Sequence, residues 1–161
     1  MLDFHEEYGL ESLWHEILHN SQVHTVEPDT PIGHLRIMEG LHQVLARQTY
    51  PKLLDALGVE PRHLRQVRES GPAYPKSAGG MTNLLRATGL MDEGFALRQE
   101  ALEALLRIDR EQPLAAMADA VAQEIATLAG HEADKLRKLL DLIADGKPVS
   151  LDLATNQMKA P

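Results

Sequence analysis

The chain has 161 residues, of which 43% are hydrophobic, 25% are charged and none is cysteine. This composition is typical of a globular protein, and the absence of cysteine excludes disulfide frameworks, thiolate metal sites and iron–sulfur clusters. The net charge of −8 disfavours nucleic-acid binding, which needs a basic surface. No apolar run approaches the roughly 18 residues of a membrane span. The N-terminus also lacks the basic and apolar regions of a signal peptide. We therefore expect no membrane partner and a cytoplasmic protein.

Charges and histidines are unevenly distributed along the chain. Residues 1–30 contain seven acidic residues and no Lys or Arg, and six of the eight histidines lie within the first 42 positions. An acidic, histidine-rich segment has the ligand chemistry of a divalent-cation site. A solvated helix face would have the same composition, so both interpretations stay open.

Helical periodicity extends over most of the chain, and Gly and Pro mark the breaks. The first helix is predicted over residues 6–19. Its buried stripe is predicted to consist of the apolar residues that recur at steps of three and four, namely Leu10, Leu13, Trp14, Ile17 and Leu18. Pro31 predicts the start of a second helix, Pro51 its restart and Gly58 its end.

The second half of the chain repeats this pattern around one long interruption. A short Arg-rich helix is predicted over 61–69. Residues 70–80 contain two Pro and three Gly and predict a long loop, after which Thr82 is expected to cap another helix. Pro113 predicts the start of an Ala-rich helix with heptad spacing. The alternating segment 149–153 predicts an extended conformation.

The predicted fold class is therefore all-α. We expect a single irregular bundle of about five to seven helices over residues 1–144, with a long Pro/Gly loop near 70–81. Residues 145–161 are predicted to form an extended or flexible C-terminal tail.

The sharpest local pattern is His15-Glu-Ile-Leu-His19, which matches HExxH. In zinc hydrolases this spacing places two imidazoles one helical turn apart, with the glutamate, here Glu16, as general base. His24 or Glu39 is available as a third ligand. No sheet is predicted that would bind a peptide substrate along its edge, which disfavours a peptidase.

A second pattern consists of two Glu-x-x-His pairs, Glu16/His19 and Glu39/His42. This spacing resembles that of carboxylate-bridged di-iron bundles, but the helical phase predicts that these side chains point away from the core. The metal hypothesis that remains is therefore a surface site, for which zinc or iron is considered, and polar residues on a solvent-facing helix remain the other interpretation. The candidate ligands of the metal site are His15, His19, Glu11, Glu39 and His42.

Arg62, Arg65 and Arg68 recur at three-residue steps and are followed by Lys76, so together they are candidates for contact with an anion or an acidic partner. The leading functional hypothesis is a small, non-catalytic accessory or regulatory protein that acts through protein–protein contacts or as a homodimer. Its basis is the off-stripe residues Leu97 and Ile108, the Ala-rich helix and the tail. The alternative is a metal-binding helical protein, including a metal-dependent hydrolase or an oxygen-handling protein.

Overall fold

The computed structural model describes residues 1–70 and 74–161, which form helices joined by short connections. In chain order the helices are α1 (Phe4–His19), α2 (Ile32–Thr49), α3 (Pro51–Ala56), α4 (Leu64–Ser70), α5 (Pro75–Ala87), α6 (Gln99–Glu111), α7 (Leu114–Ala129), α8 (Ala133–Ala144) and α9 (Leu151–Lys159). These described ranges contain no β-strand, only an isolated bridge between Met91 and Leu97. The all-α fold class is confirmed. Within the same ranges, no helix combines the length and the apolar character needed to cross a membrane.

Helix α2 is the centre of the fold. Every residue from 40 to 50 is buried, and the helix contacts α1, α5, α6, α7 and α8. Ile37, Leu41 and Leu45 belong to the main apolar core that α2 shares with α5, α6, α7, α8 and α9. Helix α5 comes so close that a β-carbon at Gly40 would lie 2.9 Å from the Ser77 carbonyl oxygen. This crossing therefore requires glycine.

The predicted buried stripe of α1 is wrong. Leu13 and Ile17 are 50% and 40% exposed, whereas Glu7, Glu11 and His15 are buried. The helix has turned its polar face inward because α2 presents polar side chains along the facing surface. Part of the predicted stripe is still covered, since Leu10 and Trp14 pack against a small second cluster of Tyr50, Leu54 and Val67.

The predicted loop near 70–81 is wrong from residue 75 onward, and residues 71–73 lie outside the described ranges. Pro75 occupies the first turn of α5, where its missing N–H has no intrahelical partner to lose. Gly80 lies inside this helix, and a β-carbon there would come within 3.0 Å of Ile143, so close packing explains the glycine. Thr82 is buried within α5 instead of capping a helix.

The extended conformation predicted for the tail is also wrong, because residues 151–159 form α9. Ser150 is its N-cap and accepts a hydrogen bond from the Leu153 N–H at 3.0 Å, so the alternating pattern there reflects a capped first turn. Ala154 and Met158 are buried against the core. Leu97 and Ile108, the off-stripe residues on which the partner-contact hypothesis partly depends, are buried in the core.

Candidate metal site between α1 and α2

The inward face of α1 meets α2 in successive layers of polar contacts. At the N-terminal end, Glu7 accepts hydrogen bonds from the Tyr50 hydroxyl and from the backbone N–H groups of Arg62 and His63. Four residues later, Glu11 accepts a hydrogen bond from the Gln43 amide at 2.9 Å. Each buried carboxylate thus has a donor, as burial of a charged group requires.

Glu11, a predicted metal ligand, belongs to this polar packing and not to the histidine cluster. Burial raises the pKa of Glu11 to about 7, although the charges of Arg47 and His15 and the hydrogen bond from Gln43 act to lower it. Burial correspondingly lowers the pKa of Arg47, against the opposing effect of Glu11. The Glu11 carboxylate is therefore committed to a buried contact between α1 and α2.

The next layer brings together three of the predicted ligands. His15 Nε2 and His19 Nε2 are 2.9 Å apart. Glu39 Oε2 lies 3.3 Å from His15 Nε2, and Glu39 Oε1 lies 3.4 Å from His19 Nε2. Ligand atoms held about 2.0 Å from one ion at the tetrahedral angle are roughly 3.3 Å apart. Two imidazole nitrogens and one carboxylate therefore converge at the spacing of a three-ligand metal site.

His19 is held in the tautomer that a metal requires. Its Nδ1 lies 2.7 Å from the Gln22 side-chain oxygen, which can only accept, so Nδ1 carries the hydrogen and Nε2 has the lone pair when the ring is neutral. Gln22 is fixed in turn, because its amide donates to Asp109 Oδ1 at 3.0 Å. Such outer contacts orient the histidine ligands of metal sites.

His42 lies beside this cluster, but its nitrogens are already engaged. One ring nitrogen from each of His15, His19 and His42 lies within 4.8 Å of the other two. However, His42 Nδ1 is 2.6 Å from Asp109 Oδ2, and Nε2 is 2.8 Å from the His15 carbonyl oxygen, to which it must donate. We therefore place His42 outside the ligand set, as a group that supports the α1 backbone. His24 also points to Asp109, at its carbonyl oxygen.

The electrostatics of the cluster follow from the shared carboxylate. The hydrogen bond to Glu39 raises the pKa of His19 to about 9, against the opposing effect of burial. Burial acts to raise the pKa of Glu39, but hydrogen bonds from His15 and His19 outweigh it and lower that pKa below its ordinary value. A cation is thus favoured at this point, either as a proton on His19 or as a metal ion in its place.

Tyr74 and Glu16 border the cluster on its open side. The Tyr74 ring stacks on the His15 ring, with centroids 5.7 Å apart and planes 14° from parallel. Burial and the neighbouring Glu39 carboxylate raise the pKa of Tyr74 to about 12. Glu16 is exposed, and its charge acts on both His19 and Tyr74. The glutamate of the HExxH pattern is therefore accessible to solvent, whereas the two histidines of that pattern are buried or half-buried.

The structure does not bring the predicted basic residues into one site. Arg68 donates to the carbonyl oxygens of Arg47 and Gln48 at the end of α2. Arg62 and Arg65 line a shallow surface pocket near α4, whereas Lys76 lines a different groove beside Val149. A common anion contact for all four is not supported.

Sequence reasoning missed Gln22, Asp109 and Tyr74. Asp109 is on α6, 67 positions after His42 and 87 after Gln22, so no local pattern connects them. Gln22 follows His19 by three positions, which is the one signal that a search for outer-sphere partners would have used. Comparisons with protein-family models, curated proteins and solved structures found no match to this chain.

Proposed function

We propose that this protein binds a divalent transition metal ion, zinc or iron, through His15 Nε2, His19 Nε2 and the carboxylate of Glu39. The observation that supports the proposal is the convergence of these atoms at separations of 2.9 to 3.4 Å. Two histidines and one carboxylate form the ligand set of many catalytic zinc sites and of mononuclear non-haem iron sites, and both leave coordination positions open.

The competing interpretation is a purely structural ion pair between protonated His19 and Glu39. Two features favour a metal site over it. His15 Nε2 approaches the same carboxylate, so Glu39 lies beside two imidazole rings. An ion pair with His19 would require only one imidazole. The Gln22 contact also keeps a hydrogen on Nδ1, so that loss of the Nε2 proton to an incoming metal ion leaves the His19 lone pair pointing into the cluster.

The test is metal analysis of protein purified without a histidine tag, followed by titration of the metal-free chain with Zn²⁺, Fe²⁺ and Co²⁺. We expect about one ion per chain for at least one of these metals. We expect the His15→Ala/His19→Ala and Glu39→Gln variants to lose it, and the His5→Ala variant to retain it, because His5 is exposed on the same helix. Gln22→Leu should keep the stoichiometry and weaken affinity by about 10- to 100-fold.

Circular dichroism separates loss of ligands from loss of fold in each variant. A folded wild-type chain that takes up none of the three ions would contradict the proposal. So would a double variant that binds as well as the wild type.

A protein–protein role is a second candidate, now on a different observation. Leu13 and Ile17 are exposed and four positions apart, so they form a small apolar patch on the outward face of α1 that a partner could cover. If they mediate a homodimer, sedimentation should give twice the chain mass, and Leu13→Lys/Ile17→Lys should restore the monomer. A monomeric wild-type chain would remove this candidate.

A further inference from the structure

A cavity of about 420 Å³ opens directly beside the candidate metal site. Glu39 and Tyr74 belong to its wall, and these are the same side chains that contact the histidine cluster. The rest of the lining is mainly apolar and includes Val26, Ile32, Leu35 and Met38. An apolar pocket with a few convergent polar groups at one end is the usual form of a small-molecule site.

Glu16 supplies the remaining chemical group. It follows His15 directly on α1, is exposed, and precedes His19 by three positions, so that the two side chains are neighbours on the helix surface. It makes no contribution to the polar packing between α1 and α2 described above. An exposed carboxylate next to a three-ligand zinc ion is placed to take a proton from the water that fills the fourth position.

We propose that the chain is a zinc-dependent hydrolase of small apolar acyl esters, with Glu16 as general base and the cavity as the acyl-binding pocket. This inference rests on the proposed metal site. With zinc held by His15, His19 and Glu39, the ion would supply an activated water, and Glu16 would accept a proton from that water as the water oxygen bonds to the ester carbonyl carbon. The bond from that carbon to the alkoxy oxygen then breaks, and Glu16 returns the proton to the departing alcohol. The products are a carboxylic acid and an alcohol, with no change of oxidation state.

The shape of the site selects this substrate class. The described residues contain no strand whose edge could bind an extended peptide, which is how many peptide-binding sites hold their ligands. The apolar wall instead fits a hydrocarbon chain, and Glu39, a proposed metal ligand, belongs to the same lining. Ile32, which is 60% exposed, stands at the mouth, where a larger side chain would fill the entrance without disturbing the core.

The experiment uses the full chain loaded with one Zn²⁺, with 4-nitrophenyl acetate and 4-nitrophenyl octanoate as substrates. Octanohydroxamate binding to the Co²⁺-loaded chain, measured by visible absorption, reports pocket occupancy without turnover. Glu16→Gln should lower kcat by about 100-fold or more while metal content and hydroxamate binding stay unchanged. Ile32→Trp should raise the KM for the octanoate ester and the Kd of the hydroxamate by roughly tenfold, as loss of about two buried methylenes would. The KM for the acetate ester should stay unchanged. Glu60→Gln, at an exposed site, is the matched control.

The outcomes separate this inference from the metal proposal. Zinc-dependent octanoate hydrolysis that chelation abolishes and Glu16→Gln impairs would support it. Stoichiometric zinc without hydrolysis, or a Glu16→Gln variant as fast as the wild type, would overturn the hydrolase and leave the metal site standing. Failure to bind zinc, iron or cobalt would overturn both.

Discussion

Replacing Glu11 by Gln should stabilise the protein at neutral and alkaline pH. Burial raises the pKa of Glu11 from 4.5 to about 7, so the folded state disfavours the charged form. The protonated Glu11 side chain therefore makes its full contribution to the free energy of unfolding below pH 4.5. That contribution is lost as the pH rises to about 7 and the carboxyl group ionises. At about 1.4 kcal/mol per pKa unit, the ionised carboxylate costs the fold about 3 kcal/mol above pH 7. Gln keeps the acceptor for the Gln43 amide and removes the charge.

The assay is urea unfolding followed by circular dichroism, at intervals from pH 4.5 to 8.5, on the metal-free chain. The difference in the free energy of unfolding between the Glu11→Gln variant and the wild type is the relevant quantity, because other groups that titrate in this range cancel in it. We expect this difference to grow by about 3 kcal/mol between pH 4.5 and 7 and then to level off. Glu93→Gln, at an exposed position, should give a flat difference curve.

A Glu11→Gln variant that is less stable than the wild type at pH 8 would refute this reasoning. It would show that the Arg47 charge stabilises the carboxylate by more than burial costs, so that Glu11 and Arg47 form a net favourable buried ion pair. A flat difference curve would refute it as well, because the ionised form would then be equally favourable in the folded and unfolded chains.

Two further predictions concern packing and capping. Gly40→Ala should lower the free energy of unfolding by about 1–3 kcal/mol, because its β-carbon would meet the Ser77 backbone; Gly79→Ala, with open space at the same helix pair, should raise it by up to about 1 kcal/mol. Ser150→Ala should cost about 1 kcal/mol through loss of the α9 cap, and Ser150→Thr should retain most of that. Urea titrations measure all four, and equal effects at the two glycines would contradict the close-approach argument.

The fold class and the helix boundaries set by proline and glycine could be predicted from the sequence. Pro51 begins α3 and Pro113 precedes α7, as expected from the fixed φ of proline. The loop predicted near 70–81 is wrong from residue 75 onward, because Gly79 and Gly80, which favour a break in a helix, lie inside α5. At Gly80 the glycine instead allows α8 to come close, a tertiary effect that propensity does not contain.

The candidate site was predicted in composition but not in placement. His15, His19 and Glu39 were named from their spacing, yet the apolar stripe on α1 predicted that the histidines would face solvent. That inference assumes that a helix buries its apolar side, and it fails here because α2 offers Gln43 and Tyr50 as partners for buried carboxylates. Which face is buried depends on both surfaces, and a single helix carries only half of that information.

The inverted orientation of α1 also affects how the protein opens locally. Detaching this helix would break its polar contacts with α2 and uncover only the small apolar cluster around Tyr50 and Leu54, since Leu13 and Ile17 are already in solvent. Such an opening has a weak dependence on denaturant, unlike global unfolding, which exposes the core around α2. A metal ion bound by His15 and His19 on α1 and by Glu39 on α2 would cross-link the two helices and oppose this local opening. Its binding free energy would then appear as slower hydrogen exchange of the α1 amides, with the rest of the bundle little affected.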